Sequence, residues 1–267
     1  MQKNDNPIGI FDSGVGGLTV AREIIRQLPK EGIVYFGDTA RVPYGSKSRE
    51  VVTKFAMEGI RFLLDQYVKM VVVACNTVSA TCLNEIQEMI TVPVVGVIEP
   101  GATAAVRATN NKKVGVIGTE RTINSGAYIR AIKRSDDDIE VYSKACPLFV
   151  PFVEEGWLDN EAVIFTAKRY LEPFIKRGVD TLVLACTHYP LLKPVLQTIM
   201  GEHVRLVDSA FETAREVGKM LERLNIKHGQ DSPTNYSYFV SDNPEKFIEV
   251  GEKFLGRPIQ PIKVIEP

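Results

Sequence analysis

The feature that most constrains this chain is a set of short runs that are apolar at nearly every position. "MVVVA" covers residues 70 to 74, and "TLVLA" covers residues 181 to 185. A strand of this composition has both faces buried, which is typical of a parallel sheet covered by helices on both sides. The runs therefore predict an α/β protein.

Strand patterns alternate with helix patterns along the whole chain. Strands are expected at 7–11, 32–37, 69–74, 92–98, 112–118, 138–143, 180–185, 203–208, 236–240 and 261–266. Helices are expected near 18–28, 50–66, 121–134, 160–177, 190–200, 210–224 and 244–255, with one more between the third and fourth strands. A polar loop, "KHGQDSPTN", is expected at 227–235. Repeated strand-helix-strand units predict doubly wound parallel sheets.

The two halves of the chain carry matching landmarks. In the first half a strand ends at Asp12, and a later strand ends in "ACNT" at Cys75; in the second half the equivalent points are Thr119 and "ACTH" at Cys186. Ligands of open α/β sheets bind beyond the carboxyl ends of the strands. The sequence therefore predicts two similar domains related by pseudo-two-fold symmetry, with an active site in the cleft between them.

Charge and composition limit the kinds of partner. The chain has 32 Lys plus Arg and 33 Asp plus Glu, a net charge of -1, so nothing indicates a binder of nucleic acid or anionic membrane. No apolar run reaches the about 18 residues of a membrane span, and "MQKNDNPIGI" lacks a signal-peptide pattern, so a cytoplasmic protein with a small-molecule substrate is expected. Without a Cys-x-x-Cys pair and with three scattered histidines, no metal site is expected.

Two of the four cysteines are candidates for chemistry. In a reducing compartment all four are expected to be free thiols. Cys82 lies inside a predicted helix and Cys146 precedes a proline at a strand end, so both are interpreted as structural. Cys75 and Cys186 lie at predicted helix starts, where the helix dipole is expected to lower a thiol pKa and to bind carboxylates. Two thiols facing across a cleft can remove a proton from one side of a carbon acid and return one on the other.

Other polar motifs surround these positions. The glycines of "DSGVGGLTV" match neither phosphate-binding fingerprint, so they are expected to permit a tight turn, with Asp12 orienting a thiol or pairing with an ammonium group. His188, two residues after Cys186, can hold or share its proton. "GDTARVPYG" at 37–45 is either a surface loop or one that bends over the cleft.

The ordered motifs "FDSGVGGLTV", "GDTARVPYG", "ACNT", "GVIEPG", "CPLFVP", "CTHYPLL" and "DSAFETA" span almost the whole chain. Together they resemble glutamate racemases, enzymes that make D-glutamate for peptidoglycan. The resemblance implies an isomerase that needs neither cofactor nor metal, requires no nucleic acid or membrane, and forms a homodimer. It also implies a discontinuous first domain, 1–97 plus 208–267, with a second domain at 98–207.

The resemblance extends to individual residues. It implies two catalytic cysteines, with Cys75 serving the D-glutamate proton and Cys186 the L-glutamate proton. It implies further catalytic or supporting roles for Asp12, Asp38, Glu154 and His188. It implies substrate contacts from Asp12, Ser13, Tyr44, Gly45, Asn76, Thr77, Thr119, Thr122, Thr187 and His188.

Three alternatives stay open at the level of sequence. A cysteine hydrolase or amidase would need only Cys186 with His188, and Cys75 would be dispensable. An amino-acid-binding domain without catalysis would tolerate the loss of either thiol. Two-cysteine racemases that act on aspartate or hydantoins differ in their substrates.

Overall fold

The computed structural model describes residues 5–229 and 234–266. The strands within these residues are β1 Ile8–Asp12, β2 Ile33–Gly37, β3 Met70–Val73, β4 Val94–Gly96, β5 Lys113–Gly118, β6 Glu140–Ala145, β7 Thr181–Ala185, β8 Arg205–Asp208, β9 Tyr236–Val240 and β10 Ile262–Val264. Each lies at a position predicted from the sequence. Part of the predicted polar loop, residues 230–233, and the first four residues of the chain lie outside the described residues.

The strands form two sheets in which all neighbours are parallel. The six-stranded sheet has the order β10-β9-β2-β1-β3-β4, and the four-stranded sheet has the order β6-β5-β7-β8. The prediction of two parallel-sheet α/β domains is confirmed. The predicted boundaries, 1–97 plus 208–267 and 98–207, stay a prediction.

The two sheets repeat one strand order. The segment β2-β1-β3-β4 of the larger sheet has the same order as β6-β5-β7-β8 of the smaller one. In each sheet the strand order reverses direction between the second and third strands of this segment. At such a switch point the chain connections on the two sides run apart, which leaves a binding crevice at the carboxyl ends of the two strands. β1 and β3 therefore flank one crevice, and β5 and β7 flank the other.

Helices cover the sheets. They are α1 Leu18–Gln27, α2 Arg49–Asp65, α3 Asn76–Met89, α4 Ile98–Ala108, α5 Glu120–Asn124, α6 Ala127–Ser135, α7 Phe149–Glu154, α8 Glu161–Lys176, α9 Lys193–Met200, α10 Ala210–Arg223 and α11 Pro244–Leu255. On β1, Ile8 and Ile10 join the cluster that contains α1 and α11, while Phe11 joins the cluster on the opposite face with α2 and α3. Strands β1, β2, β3 and β7 are buried throughout, as their apolar runs predict.

Some predicted helices differ from the structure. The helix expected at 121–134 is wrong as a single element: α5 and α6 are separated at Gly126, which has a φ of 67° in the left-handed region. The helix expected from residue 190 begins at Lys193, after a 3-10 turn at Tyr189–Leu192. Helices α4 and α7 were not predicted from the sequence. The proline in α4, Pro100, does not break the helix, because it lies in the first turn, where a missing N–H costs no intrahelical hydrogen bond.

Candidate active site

A cavity of about 210 Å³ lies between the carboxyl ends of the two sheets. Ten of its lining residues were predicted from the sequence: Ser13, Tyr44, Gly45, Cys75, Asn76, Thr77, Thr119, Cys186, Thr187 and His188. The thiols of the two matched strand ends thus open into one space. The cysteines at 75, 82, 146 and 186 are all free thiols, as predicted.

On one side of the cavity, Cys75 is placed by the end of β3 and caps the N-terminus of α3. Its thiol donates a hydrogen bond to Oγ of Ser13, at 3.4 Å. Behind it lies the carboxylate of Asp12, which is fully buried and accepts the N–H of Gly14 at 3.1 Å through Oδ2. Its second oxygen, Oδ1, has no hydrogen-bond partner within the described residues. Asp12 does not line the cavity and lies close to the thiol instead.

The electrostatics of this side differ from the prediction. Burial, and then the negative charge of Asp12, raise the pKa of the Cys75 thiol from 9.0 to about 12. Burial also raises the pKa of Asp12, against the opposing effects of His188 and of three backbone N–H groups. The expectation that the helix start lowers the pKa of Cys75 is therefore wrong, because desolvation and a nearby carboxylate outweigh the helix dipole.

On the other side, Cys186 follows β7 and has a histidine as its neighbour. Its Sγ lies 3.9 Å from Nδ1 of His188, and Nε2 of that ring lies 3.1 Å from Oε1 of Glu154. Burial lowers the pKa of His188, but hydrogen bonds to the thiol and to the carboxylate outweigh it and raise the pKa to about 10. Burial acts to raise the pKa of Glu154, but His188 holds it below its ordinary value. The side therefore contains an imidazolium between a sulfur and a carboxylate.

The prediction that Cys186 stands at a helix start is also wrong. The residues after it form the 3-10 turn Tyr189–Leu192, and a regular α-helix begins only at Lys193. A short turn ahead of the helix cannot align the helix dipole with the sulfur, so the imidazolium of His188 is the local positive charge.

The loop after β2 brings Tyr44 and Gly45 to the cavity. Asp38 is fully buried and holds this loop: it accepts hydrogen bonds from the hydroxyl of Tyr44 and, at 2.7 Å, from Nε of Arg41. Position 45 requires glycine because the loop passes close to Thr119: a Cβ at this position would lie 2.6 Å from Cβ of Thr119. Asp38 itself does not line the cavity; it lies behind Tyr44, to which it is hydrogen-bonded.

Hydroxyl groups connect the two sheets at one end of the cavity. Oγ1 of Thr77 lies 2.9 Å from Oγ1 of Thr119, which lies 3.0 Å from Oγ1 of Thr122. Thr119 also caps α5 by accepting the N–H of Thr122 at 3.3 Å. Thr77 and Thr119 line the cavity, whereas Thr122 lies behind them.

The glycine-rich turn after β1 allows the two halves to meet. A Cβ at Gly16 would lie 2.3 Å from Oγ1 of Thr187 and 2.6 Å from Nδ1 of His188. Any larger residue would push these two cavity residues away from the turn. The glycines of "DSGVGGLTV" thus serve a contact between the two halves in addition to the turn itself.

Six lining residues were not singled out from the sequence: Pro43, Ser46, Glu120, Pro147, Val150 and Pro151. The last three belong to the "CPLFVP" motif at 146–151, and that motif was the signal in the sequence that could have identified them. Within residues 5–229 and 234–266, no group of three or more His, Cys, Asp or Glu could hold a metal ion. In the same part of the chain, no helix is both long and apolar enough to cross a membrane.

In sequence and in fold, the chain is similar to known racemases. The profile of the family described as Asp/Glu/Hydantoin racemase matches residues 8–217. A glutamate racemase of Geobacter metallireducens is 57% identical over 249 residues, which are 93% of this chain and 92% of the relative. The crystal structure of a glutamate racemase from Bacillus anthracis superposes with a TM-score of 0.94 at 42% identity, covering 98% of each chain. That of a Francisella tularensis glutamate racemase in complex with D-glutamate gives a TM-score of 0.92 at 40% identity, again over 98% of each chain.

Proposed function

The chain belongs to the Asp/Glu/Hydantoin racemase family, and we propose that it is an isomerase that interconverts L- and D-glutamate. We further propose that it uses two thiols and no cofactor. The observation that carries this proposal is that Cys75 and Cys186, from equivalent strands of the two sheets, line the same cavity.

The proposed reaction is a proton removal followed by a proton return. With L-glutamate bound, the thiolate of Cys186 takes the proton from Cα, and the electron pair of the broken C–H bond stays on carbon. The thiol of Cys75 then gives its proton to the opposite face of Cα and keeps its own electron pair as a thiolate. One C–H bond is broken and one is formed, with inverted configuration, and the roles exchange for D-glutamate.

The carbanion requires hydrogen-bond donors around the substrate. The neighbouring carboxylate resists further negative charge, so donors must stabilise the charge that develops at Cα and its carboxylate. We assign this task to Ser13, Asn76, Thr77 and Thr187, which line the cavity, with Tyr44, Gly45 and Thr119 as further contacts. Thr122 supports this set from behind through Thr119.

The remaining predicted residues act through others. The imidazolium of His188 places a positive charge beside the sulfur of Cys186, and Glu154 orients the ring and stabilises that charge. Asp12 disfavours negative charge on Cys75, which favours the protonated thiol. Asp38 positions Tyr44. Asp12, Asp38 and Glu154 are therefore proposed as positioning residues.

The cellular role follows from the product. D-glutamate made by this reaction would supply peptidoglycan synthesis, and we propose a cytoplasmic enzyme that acts as a homodimer and needs no nucleic acid. The two domains are proposed to be 1–97 plus 208–267 and 98–207.

Two rival functions differ in what they require of Cys75. A one-thiol hydrolase would use Cys186 and His188, which lie 3.9 Å apart between Sγ and Nδ1, but would give no role to a second thiol in the same cavity. A binding domain would require neither thiol. The presence of both favours the racemase.

The test is the loss of optical activity from L-glutamate. Purified protein, dialysed against a chelator, is incubated with L-glutamate and no added pyridoxal phosphate, nucleotide or metal, and circular dichroism is followed. We expect the signal to decay to zero as the racemate forms, and L-aspartate, as the control substrate, to keep its signal. A stable glutamate signal, or activity that returns only when a metal is added, would contradict the proposal.

A further inference from the structure

The orientation of the Asn76 amide decides what the cavity offers to a carboxylate. Asn76 is the first residue of α3, is 3% exposed and lines the cavity. Its side chain ends in an acceptor oxygen and a donor NH2 group, which differ little in shape. Only the orientation with Nδ2 toward the cavity attracts a carboxylate; the reverse orientation repels it.

A tyrosine from the other half of the molecule contacts this amide. Tyr128 lies on α6 and is 3% exposed. Its hydroxyl donates a hydrogen bond of 2.7 Å to Oδ1 of Asn76. The acceptor oxygen is thereby turned away from the cavity and toward α6. The bond joins a residue of the four-stranded half to the first turn of α3, the helix that follows Cys75.

The surroundings of the Tyr128 hydroxyl fix the direction of this bond. Burial raises the pKa of Tyr128, and a hydrogen bond with Ser209, which would stabilise charge on the tyrosine oxygen, acts in the opposite direction. Since an amide oxygen can only accept, the proton of the tyrosine hydroxyl is the one that Oδ1 of Asn76 receives. A Cβ at Gly101 would lie 2.9 Å from the same hydroxyl, so little space is left for it to move.

We propose that Tyr128 is a positioning residue that holds the Asn76 amide with Nδ2 toward the cavity, where it donates to a carboxylate of the substrate. This inference rests on the proposed function, since it takes glutamate as the ligand. Tyr128 does not line the cavity, so the inference makes a residue outside the cavity a determinant of substrate binding. The hydrogen bond between Tyr128 and Asn76 also makes binding depend on contact between the two halves.

The first test removes the hydroxyl alone. Tyr128→Phe keeps the ring in its apolar cluster and frees the amide to turn. We expect KM to rise about tenfold for both enantiomers, with a smaller fall in kcat, because a buried hydrogen bond that orders a charged contact is lost. Tyr238→Phe, at another buried tyrosine in β9, is the matched control and should leave both constants unchanged. An unchanged KM in Tyr128→Phe would overturn the inference.

The second test asks whether Tyr128 acts through Asn76. The Kd of D-glutamate is measured by calorimetry, which needs no turnover, for wild type, Asn76→Ala, Tyr128→Phe and the double variant. We expect Tyr128→Phe to weaken binding in the wild-type background and to change nothing in the Asn76→Ala background. Additive losses would overturn the inference.

A third variant covers the case in which Tyr128→Phe does not fold. Gly101→Ala keeps the tyrosine, suits a helix interior, and displaces the hydroxyl through its new Cβ; it should raise the same Kd. A Gly101→Ala protein with wild-type affinity would count against the inference. If the wild-type protein neither binds nor racemises glutamate, the proposed function is refuted. This result differs from the failure of the Tyr128 inference, in which wild type binds glutamate and the variants bind it equally well.

Discussion

The two sides of the cavity share a strand order but differ in the groups behind each thiol. Behind Cys75 lies the buried carboxylate of Asp12, with one oxygen that has no partner in the described part of the chain. Beside Cys186 lies the imidazole of His188, itself 3.1 Å from Glu154. The repeated fold thus places two thiols equivalently, while unrelated neighbours give them different chemistry.

This difference suggests how the resting enzyme is charged. A carboxylate beside Cys75 helps to raise the pKa of that thiol, whereas the group beside Cys186 is an imidazolium with a pKa of about 10. A charge on Cys186 also raises the pKa of Cys75. We expect the free enzyme to hold the proton on Cys75, so that this thiol can return a proton during the reaction of L-glutamate.

Racemisation rates alone cannot separate the two sides. The enantiomers have equal free energies, so the ratio kcat/KM must be the same for both, in any variant and at any pH. A change at either thiol therefore affects both directions equally. Partial reactions and chemical labelling are needed to distinguish Cys75 from Cys186.

The largest effect is expected from the loss of either thiol. Cys75→Ser and Cys186→Ser should each reduce racemisation by at least about a thousandfold in both directions, because an alcohol is too weak an acid to serve as the base. Initial rates with each enantiomer measure this. Cys82→Ser, which replaces a buried cysteine in α3 away from the cavity, is the control and should keep most of the activity. Normal racemisation by either active-site variant would break the two-thiol account.

A smaller effect should appear in thiol labelling. At pH 9, iodoacetamide should alkylate Cys186 about tenfold faster than Cys75, whose pKa is raised to about 12, as measured by peptide mass spectrometry. The pKa of His188 is raised to about 10, so its ring is still largely an imidazolium at pH 9. Glu154→Gln removes one of the groups that raise this pKa. The variant should therefore label more slowly at Cys186 at pH 9 and leave the labelling of Cys75 unchanged.

Equal labelling of the two thiols in wild type would show that their surroundings do not distinguish them. Glu85→Gln is a suitable control, since this partly exposed glutamate pairs with Arg49 and does not line the cavity. Its labelling pattern should match that of wild type.

Much of this comparison could be predicted from the sequence. The apolar strands and the two Ala-Cys strand ends follow from local patterns, because parallel strands place their carboxyl ends at one edge. The substrate contacts among the ten cavity residues were implied by the resemblance to glutamate racemases. The pKa of Cys75 could not be predicted, since it depends on burial and on Asp12, which is distant in the chain. The Tyr128 contact was missed for the same reason: the hydrogen bond joins residues of two sheets, and no local pattern marks it.

The central claim, that the two thiols serve opposite faces of Cα, is tested most directly by β-elimination. The substrates are L- and D-glutamate analogues with chlorine on the β-carbon and matched relative configuration. A thiolate removes the Cα proton, chloride leaves with its electron pair, and the enamine hydrolyses to a keto acid and ammonium, so only one thiol is needed. We expect Cys75→Ser to eliminate from the L-analogue and not from the D-analogue, and Cys186→Ser to show the reverse preference. The same preference in both variants, read as keto-acid formation, would contradict the account.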